Sequence, residues 1–443
     1  MSGKVAMISL GCSKNQVDAE VMLAILKDSG YTIENEPSKA DAVIINTCGF
    51  IEAAKEEAIE NILEIGKLKE EGRIKALIVS GCLAQRYQDE ILKEMPEIDA
   101  VVGIASKENI AEAVKKALEG KEKYADFKPV TEYRLGGDRM LSTPFYTAYL
   151  KIADGCDNRC SYCAIPLIRG NYISRPFEEL VDEAKKLAES GVFELNIIAQ
   201  DTTRYGLDLY GHRRLPELLT ELCKIEGLKW IRILYVYPDE VSDELIEVMA
   251  KEPKIVKYID IPLQHANDKI LKAMNRRQTK ADILELISKI RVSMPEAVIR
   301  TTFIAGFPGE TRSDFKELVE FIKTAEFDRV GVFTFSPEEG TAAAQLKDDV
   351  SEDEKKRRKD IIEQEAARIV DQKNASKVGT VQKVLVEGYD RYAETFFGRT
   401  SSDAPEVDGK VFFTSKGKLE EGKLIDVLIT QVVEYDLFGE IQL

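Results

Sequence analysis

Residues 155–163 read GCDNRCSYC, which puts Cys156, Cys160 and Cys163 in one Cys-x3-Cys-x2-Cys run. The apolar stretch before it, YTAYLKI (146–152), predicts a strand ending at Ile152 or Ala153, so the three thiols sit on a tight loop just past it. Five more strand-like runs follow: ELNIIAQ (194–200), WIRILYV (230–236), YIDIPLQ (258–264), VIRTTFIAG (298–306) and RVGVFTFS (329–336). Helical stretches lie between them, near 178–190, 215–226, 242–251, 279–293 and 312–324. Six βα units are too few to close an eight-fold barrel. They predict an open, partial (β/α)6 barrel over 143–375 with its chemistry at the strand carboxyl ends.

Upstream, Cys12, Cys48 and Cys82 each end an apolar run: VAMISLGC, AVIINTC and ALIVSGC. Strand-like runs near 4–10, 42–47, 76–80 and 100–104 alternate with helical ones near 15–29, 52–70, 86–95 and 107–119. That alternation predicts a parallel α/β sheet domain over 1–120. Ligands gather at the carboxyl ends of such strands, so cysteines far apart in sequence can converge on one edge. The stretch 121–142 (KEKYADFKPVTEYRLGGDRM) reads as a linker. Residues 351–374 predict a long amphipathic helix whose charged outer face is solvated. Residues 376–443, with short apolar runs between Gly, Asp and Ser, predict a small all-β barrel of about five strands.

Three thiolates can hold three irons of a four-iron, four-sulfur cluster and leave the fourth open. A zinc knuckle needs a fourth ligand, and the two histidines, His212 and His265, are not at finger spacing. A disulfide framework conflicts with seven cysteines and with a cytosolic protein. Taken alone, Cys12, Cys48 and Cys82 read equally as small apolar residues ending buried strands, and Cys223 in LPELLTELCKIEG reads as core. His265 in PLQHAND follows a strand and can reach the barrel mouth.

The chain has 443 residues, enough for two to four domains. With 62 basic and 78 acidic residues its formal charge is −16, which disfavours strong nucleic-acid binding and suits a basic protein partner. No apolar run approaches a membrane span and the MSGKV start lacks signal-peptide character, so the expected location is the cytoplasm.

The first triplet, with Tyr162 before its last cysteine, resembles the signature of the radical S-adenosylmethionine (SAM) superfamily. That resemblance implies SAM chelated by the open iron and cleaved by one electron to a 5′-deoxyadenosyl radical. It implies that Tyr162 touches the adenine, and that Gln200, Asp201, Thr302, Gly306, Phe307, Pro308 and Gly309 line the SAM cleft. For the GFPG segment a simple tight turn is compatible with that role. The second triplet above such a barrel resembles the methylthiotransferases, whose N-terminal cluster is thought to carry the inserted sulfur. The likeness spans the whole chain, including a C-terminal TRAM-like barrel. It implies two 4Fe-4S clusters on Cys12, Cys48, Cys82 and on Cys156, Cys160, Cys163, with SAM and an external electron donor.

Within that family the branch acting on tRNA adenosine typically reads Cys-Gln-Met-Asn, Gln-Asn-Val and Gln-Ser-Gly where this chain reads CSKNQVD, AQDTTRYG and PLQHAND. These segments resemble the branch that adds a methylthio group to the β-carbon of an aspartate in small-subunit ribosomal protein S-twelve. Residues 376–443 carry eight Lys or Arg against twelve Asp or Glu, an acidic balance that fits a basic ribosomal protein better than tRNA.

Overall fold

In the computed structural model, which describes residues 3–415 and 417–442, the N-terminal apolar runs form a six-stranded parallel sheet. Its strands are β1 (Lys4–Ser9), β2 (Thr32–Ile33), β3 (Ala42–Thr47), β4 (Ala76–Gly81), β5 (Ala100–Gly103) and β6 (Tyr124–Asp126), in the order β2-β1-β3-β4-β5-β6. β3 and β4 are buried at every position, with an apolar run of four residues opening each, because helices cover both faces. Val43, Ile45, Leu77 and Val79 pack on one side, and Ala42, Ile44, Ala76 and Ile78 on the other. The stretch read as a linker contributes the edge strand β6, paired in parallel with β5. The helix expected near 86–95 starts earlier, at Cys82, and breaks at Gln88, where φ is +46°.

The six expected barrel strands follow: β7 (Thr147–Lys151), then, after a short antiparallel pair β8 (Ala153–Asp154) and β9 (Ile173–Ser174), β10 (Glu194–Ile198), β11 (Trp230–Ile233), β12 (Ile255–Asp260), β13 (Val298–Ala305) and β14 (Arg329–Thr334). All six pair in parallel in the order β14-β13-β12-β11-β10-β7, and the sheet stays open. Two of the covering helices begin where a threonine and the Asp three residues on satisfy each other's backbone N–H groups, Thr279 with Asp282 and Thr311 with Asp314. Leu195, Ile197, Ile231, Ile299 and Phe303 face those helices and form the main core.

The concave face is more polar, and the last domain covers part of it. That domain is a closed barrel of β15 (Val381–Asp390), β16 (Thr395–Thr400), β17 (Val411–Thr414), β18 (Leu424–Val433) and β19 (Asp436–Ile441), in the order β15-β16-β17-β19-β18. Its Leu385 and Ala404 pack with Tyr146, Tyr149, Phe193 and Trp230. Charges fix the contact: Arg399 Nη1 donates to Glu194 Oε1 at 2.7 Å, Arg329 Nη2 to Asp403 at 2.7 Å, and Tyr258 to Asp408 at 2.7 Å. Removing one partner of a buried pair strands the other charge, at a cost of about 3–5 kcal/mol. Arg399→Met should therefore lower the denaturation midpoint clearly, whereas Lys383→Met on the exposed Lys383–Asp426 pair should change stability by no more than about 0.5 kcal/mol.

The N-terminal domain is fastened in the same way. Arg139, 4% exposed and inside the stretch read as linker, bridges Glu20 of the helix Ser13–Asp28 (2.7 Å) and Glu183 of the helix Phe177–Glu189 (2.6 Å). Ser142 donates to Glu20 through both its N–H and its hydroxyl. The 351–374 helix is present as Glu352–Ala375, with Ile362, Ala366, Ile369 and Val370 turned inward. Its first turns depart from the expected solvated charge, because Lys355 and Arg358 are buried too.

Candidate functional site between two cysteine sets

β1, β3 and β4 are neighbours in register, Ser9 opposite Asn46 and Thr47 opposite Gly81, so Cys12, Cys48 and Cys82 emerge together at one edge. Close approach there requires glycine. A Cβ on Gly11 (φ +87°) would lie 2.7 Å from Cys48 Cβ, and one on Gly81 (φ +96°) 2.5 Å from the Thr47 carbonyl. The surroundings are dry but not apolar. Burial alone would raise the Cys12 thiol, yet Lys14 and Arg169 outweigh it and hold it below its usual range. Burial pushes Cys48 up, and pushes Cys82 up to about 12 against the pull of Arg169, whose Nη2 donates to Cys82 Sγ at 3.4 Å. Lys14 is 3% exposed, and its ammonium sits 3.2 Å over the Tyr235 ring.

The second set occupies the loop between β8 and β9. The loop is pinned at several points: Cys156 N–H donates to the Gly170 carbonyl (3.1 Å), Cys163 N–H to that of Cys160 (3.0 Å) and Ser161 N–H to that of Met274 (3.0 Å). Arg276 donates to Cys160 Sγ at 3.8 Å, and the Tyr237 hydroxyl lies at the same distance from that sulfur. Burial pushes the Cys156 thiol up to about 12 and raises Cys163 as well. Thiols so placed stay protonated until a metal binds the sulfur and displaces the proton to solvent.

Among the described residues no three Cys, His, Asp or Glu side chains close on one point as they would around a single metal ion. A four-iron cube binds thiolates at separate corners and spreads them wider. Three thiols in each set, with a guanidinium donating to one sulfur of each, suit such an anionic body.

A cavity of about 660 Å³ touches both loops, lined by Phe50, Ile51 and Glu52 just after Cys48, by Tyr162, and by Gln264, Thr302 and Ile304. Of the expected SAM-cleft residues, Tyr162 and Thr302 are therefore at the cavity, while Gln200, Asp201 and the 306–308 turn are not in its lining. Gln200 keeps a buried Nε2 without an acceptor. Asp201 is fully buried and accepts from Asn158 of the cysteine loop at 2.8 Å and from Thr203. The N–H groups of Gly306 and Phe307 are taken by the Glu310 carboxylate, which Arg358 approaches at 3.2 Å. The Phe307 ring is buried with Ile270, Met274 and Phe335 behind Tyr162, and Pro308 is buried as well. Gly306 (φ +75°) lets Lys355 pass where a side chain would collide.

His265 is fully buried, not at the cavity wall. Its Nδ1 accepts from Asn267 N–H at 2.9 Å, and burial lowers its basicity to about 3, so the ring stays neutral. Cys223 belongs to the main core, as expected. The basic groups against the sulfurs, Lys14, Arg169 and Arg276, carry no sequence signature that singles them out. Arg169 is six residues past Cys163, a position marked by nothing in the run AIPLIRG (164–170) except its neighbour Gly170.

Residues 4–103 match the uncharacterized protein family UPF0004, residues 150–322 the radical SAM superfamily and residues 378–441 the TRAM domain. The ribosomal protein uS12 methylthiotransferase RimO of Desulforamulus reducens is 51% identical over 439 residues, covering 99% of each chain. The chain belongs to the RimO methylthiotransferase family. The RimO proteins of Thermoanaerobacter sp. (51%, covering 98% of this chain and 99% of the relative) and Acetivibrio thermocellus (49%, covering 100% and 99%) match equally along their length. Among solved structures, the radical SAM methyltransferase TsrM from Kitasatospora setae superposes with a TM-score of 0.56 at 16% identity, covering 74% of this chain and 72% of that one. That likeness concerns fold alone. As a RimO-family member the chain is a radical SAM transferase, and no described helix is long and apolar enough to cross a membrane.

Proposed function

We propose that this protein attaches a methylthio group to the β-carbon of an aspartate in ribosomal protein uS12, in the cytoplasm, with electrons from an external donor. The observation that carries the reading is the cavity between the two cysteine loops, in a chain about half identical to RimO proteins over its full length. Cys156, Cys160 and Cys163 would hold one 4Fe-4S cluster, and Cys12, Cys48 and Cys82 the other. When bound, the first with SAM supplies a hydrogen-abstracting radical and the second a site for transferable sulfur.

The chain's own residues position and shield. Tyr162 and Thr302 line the space next to the barrel loop, and Gln200 offers an unused amide donor. Asp201 braces the loop through Asn158, and the Gly306–Phe307–Pro308 turn, held by Glu310, backs Tyr162. Glu338, in the cavity lining, pairs with Lys55 (3.3 Å) and Arg86 (2.9 Å) of the N-terminal domain. The acidic last domain suits a basic protein substrate.

Mass spectrometry after anaerobic incubation of the reconstituted enzyme with SAM and dithionite tests this. Methylthiolation is expected on aspartate of uS12 or its loop peptide, and none on tRNA nucleosides. Modified adenosine with unmodified aspartate would overturn the substrate.

A further inference from the structure

A buried charge group lies between the N-terminal domain and the barrel, and it ends on a cysteine. Asp18 of the helix Ser13–Asp28 contacts Lys151 of β7 (2.6 Å), Lys107 (3.3 Å) and Arg169 (3.2 Å). Asp154 of β8 contacts Lys151 (3.0 Å) and Arg169 (2.6 Å). The Tyr133 hydroxyl donates to Asp18 (2.7 Å) and accepts from Lys151 (2.9 Å). All of these side chains are less than a tenth exposed. Three cations thus face two carboxylates. The unbalanced charge has one sulfur beside it, Cys82 Sγ, at 3.4 Å from Arg169 Nη2.

Arg169 also reaches the other loop. Its Nη1 holds Asp154 Oδ2, Asp154 Oδ1 accepts from Gly155 N–H at 2.9 Å, and Cys156 follows. From the other side Gly170, next to Arg169, takes the Cys156 N–H. One planar guanidinium therefore touches a thiol of the first set and, through Asp154, braces the residue before the first cysteine of the second, whose own N–H is held by the neighbouring Gly170 carbonyl. Lysine, with a single point charge, cannot hold both arrangements with the same geometry.

We propose that Arg169 is a positioning residue that sets the reduction potential of the N-terminal cluster and links it rigidly to the barrel cysteine loop. The proposal rests on the reading that Cys12, Cys48 and Cys82 hold an iron–sulfur cluster. A cluster gains negative charge on reduction, and hydrogen bonds to its sulfurs and nearby charge are the protein's levers on potential. In this dry pocket a guanidinium on a ligand sulfur favours the reduced form, and Asp154 behind it tempers that effect.

The test uses the full-length chain with Cys156, Cys160 and Cys163 changed to Ala, reconstituted with iron and sulfide and titrated redox-wise by electron paramagnetic resonance. Arg169→Met should shift the reduction equilibrium of the remaining cluster at least tenfold toward the oxidised form, about 59 mV for one electron. Asp154→Asn should shift it the opposite way, and Arg169→Lys, which keeps the charge but not the planar fork, should fall between the parent and the Met variant. A residue with only a packing role gives no opposed pair of shifts. Unchanged midpoints, or Met and Asn variants moving in the same direction, overturn the proposal. If the Met variant binds no iron, Asp154→Asn decides alone, and absence of its shift overturns the proposal. A parent chain that takes up no iron instead overturns the cluster reading of the N-terminal triplet.

Discussion

Changing Cys156, Cys160 and Cys163 together to alanine should abolish 5′-deoxyadenosine formation from SAM, with bound iron falling from about eight to about four per chain. The loss is expected to be complete, because the iron proposed to chelate SAM and deliver the electron is held by this triplet and goes with it. The fold should survive. The loop is pinned by backbone contacts to Gly170 and Met274 and by Asn158 on Asp201, none of which uses a cysteine side chain. Chromatography of anaerobic reaction mixtures beside an iron assay reads both quantities. Continued 5′-deoxyadenosine formation would remove the barrel triplet from the chemistry.

The complementary triple change, Cys12, Cys48 and Cys82 to alanine, should separate the two tasks. SAM cleavage should persist within about tenfold, since the barrel loop and its supports stay intact. Methylthio transfer to uS12 should fall to background. Iron should again settle near four per chain, this time on the barrel loop. Mass spectrometry of the substrate with parallel nucleoside analysis distinguishes this from a general loss of folding. Methylthiolated product from this variant would mean that the N-terminal cysteines do not carry the sulfur.

The strands β3 and β4, which place Cys48 and Cys82, were legible because they are buried on both faces. AVIINT and ALIVSG carry no polar alternation to confuse them, and each ends in a glycine or small polar residue where the cysteine turns out. The same physics hid β2 and β6, which are two- and three-residue edge strands with little apolar content. The stretch 121–142 read as a linker from its charge and glycines, yet one of its charges, Arg139, is almost fully buried. Charge in a sequence signals exposure only while its partner is unknown, and Glu20 and Glu183 lie 119 and 44 residues away. For the same reason Asp18, Lys151, Asp154 and Arg169 could not be grouped beforehand, though all surround cysteines that could. The GFPGE turn was recognised as special, but its acceptor, Glu310, and the inward Arg358 show its amides serving the protein's own carboxylate.

The buried clasp of Arg139 on Glu20 and Glu183 bears on how the reaction is timed. Parting the two domains would have to break this clasp and the Asp18 group beside it together, and such buried pairs specify one arrangement more than they add stability. The gap between the two cysteine sets is then set by this seam, and under the proposed function the order of the steps falls to whichever small molecules and substrate side chain occupy that gap in turn.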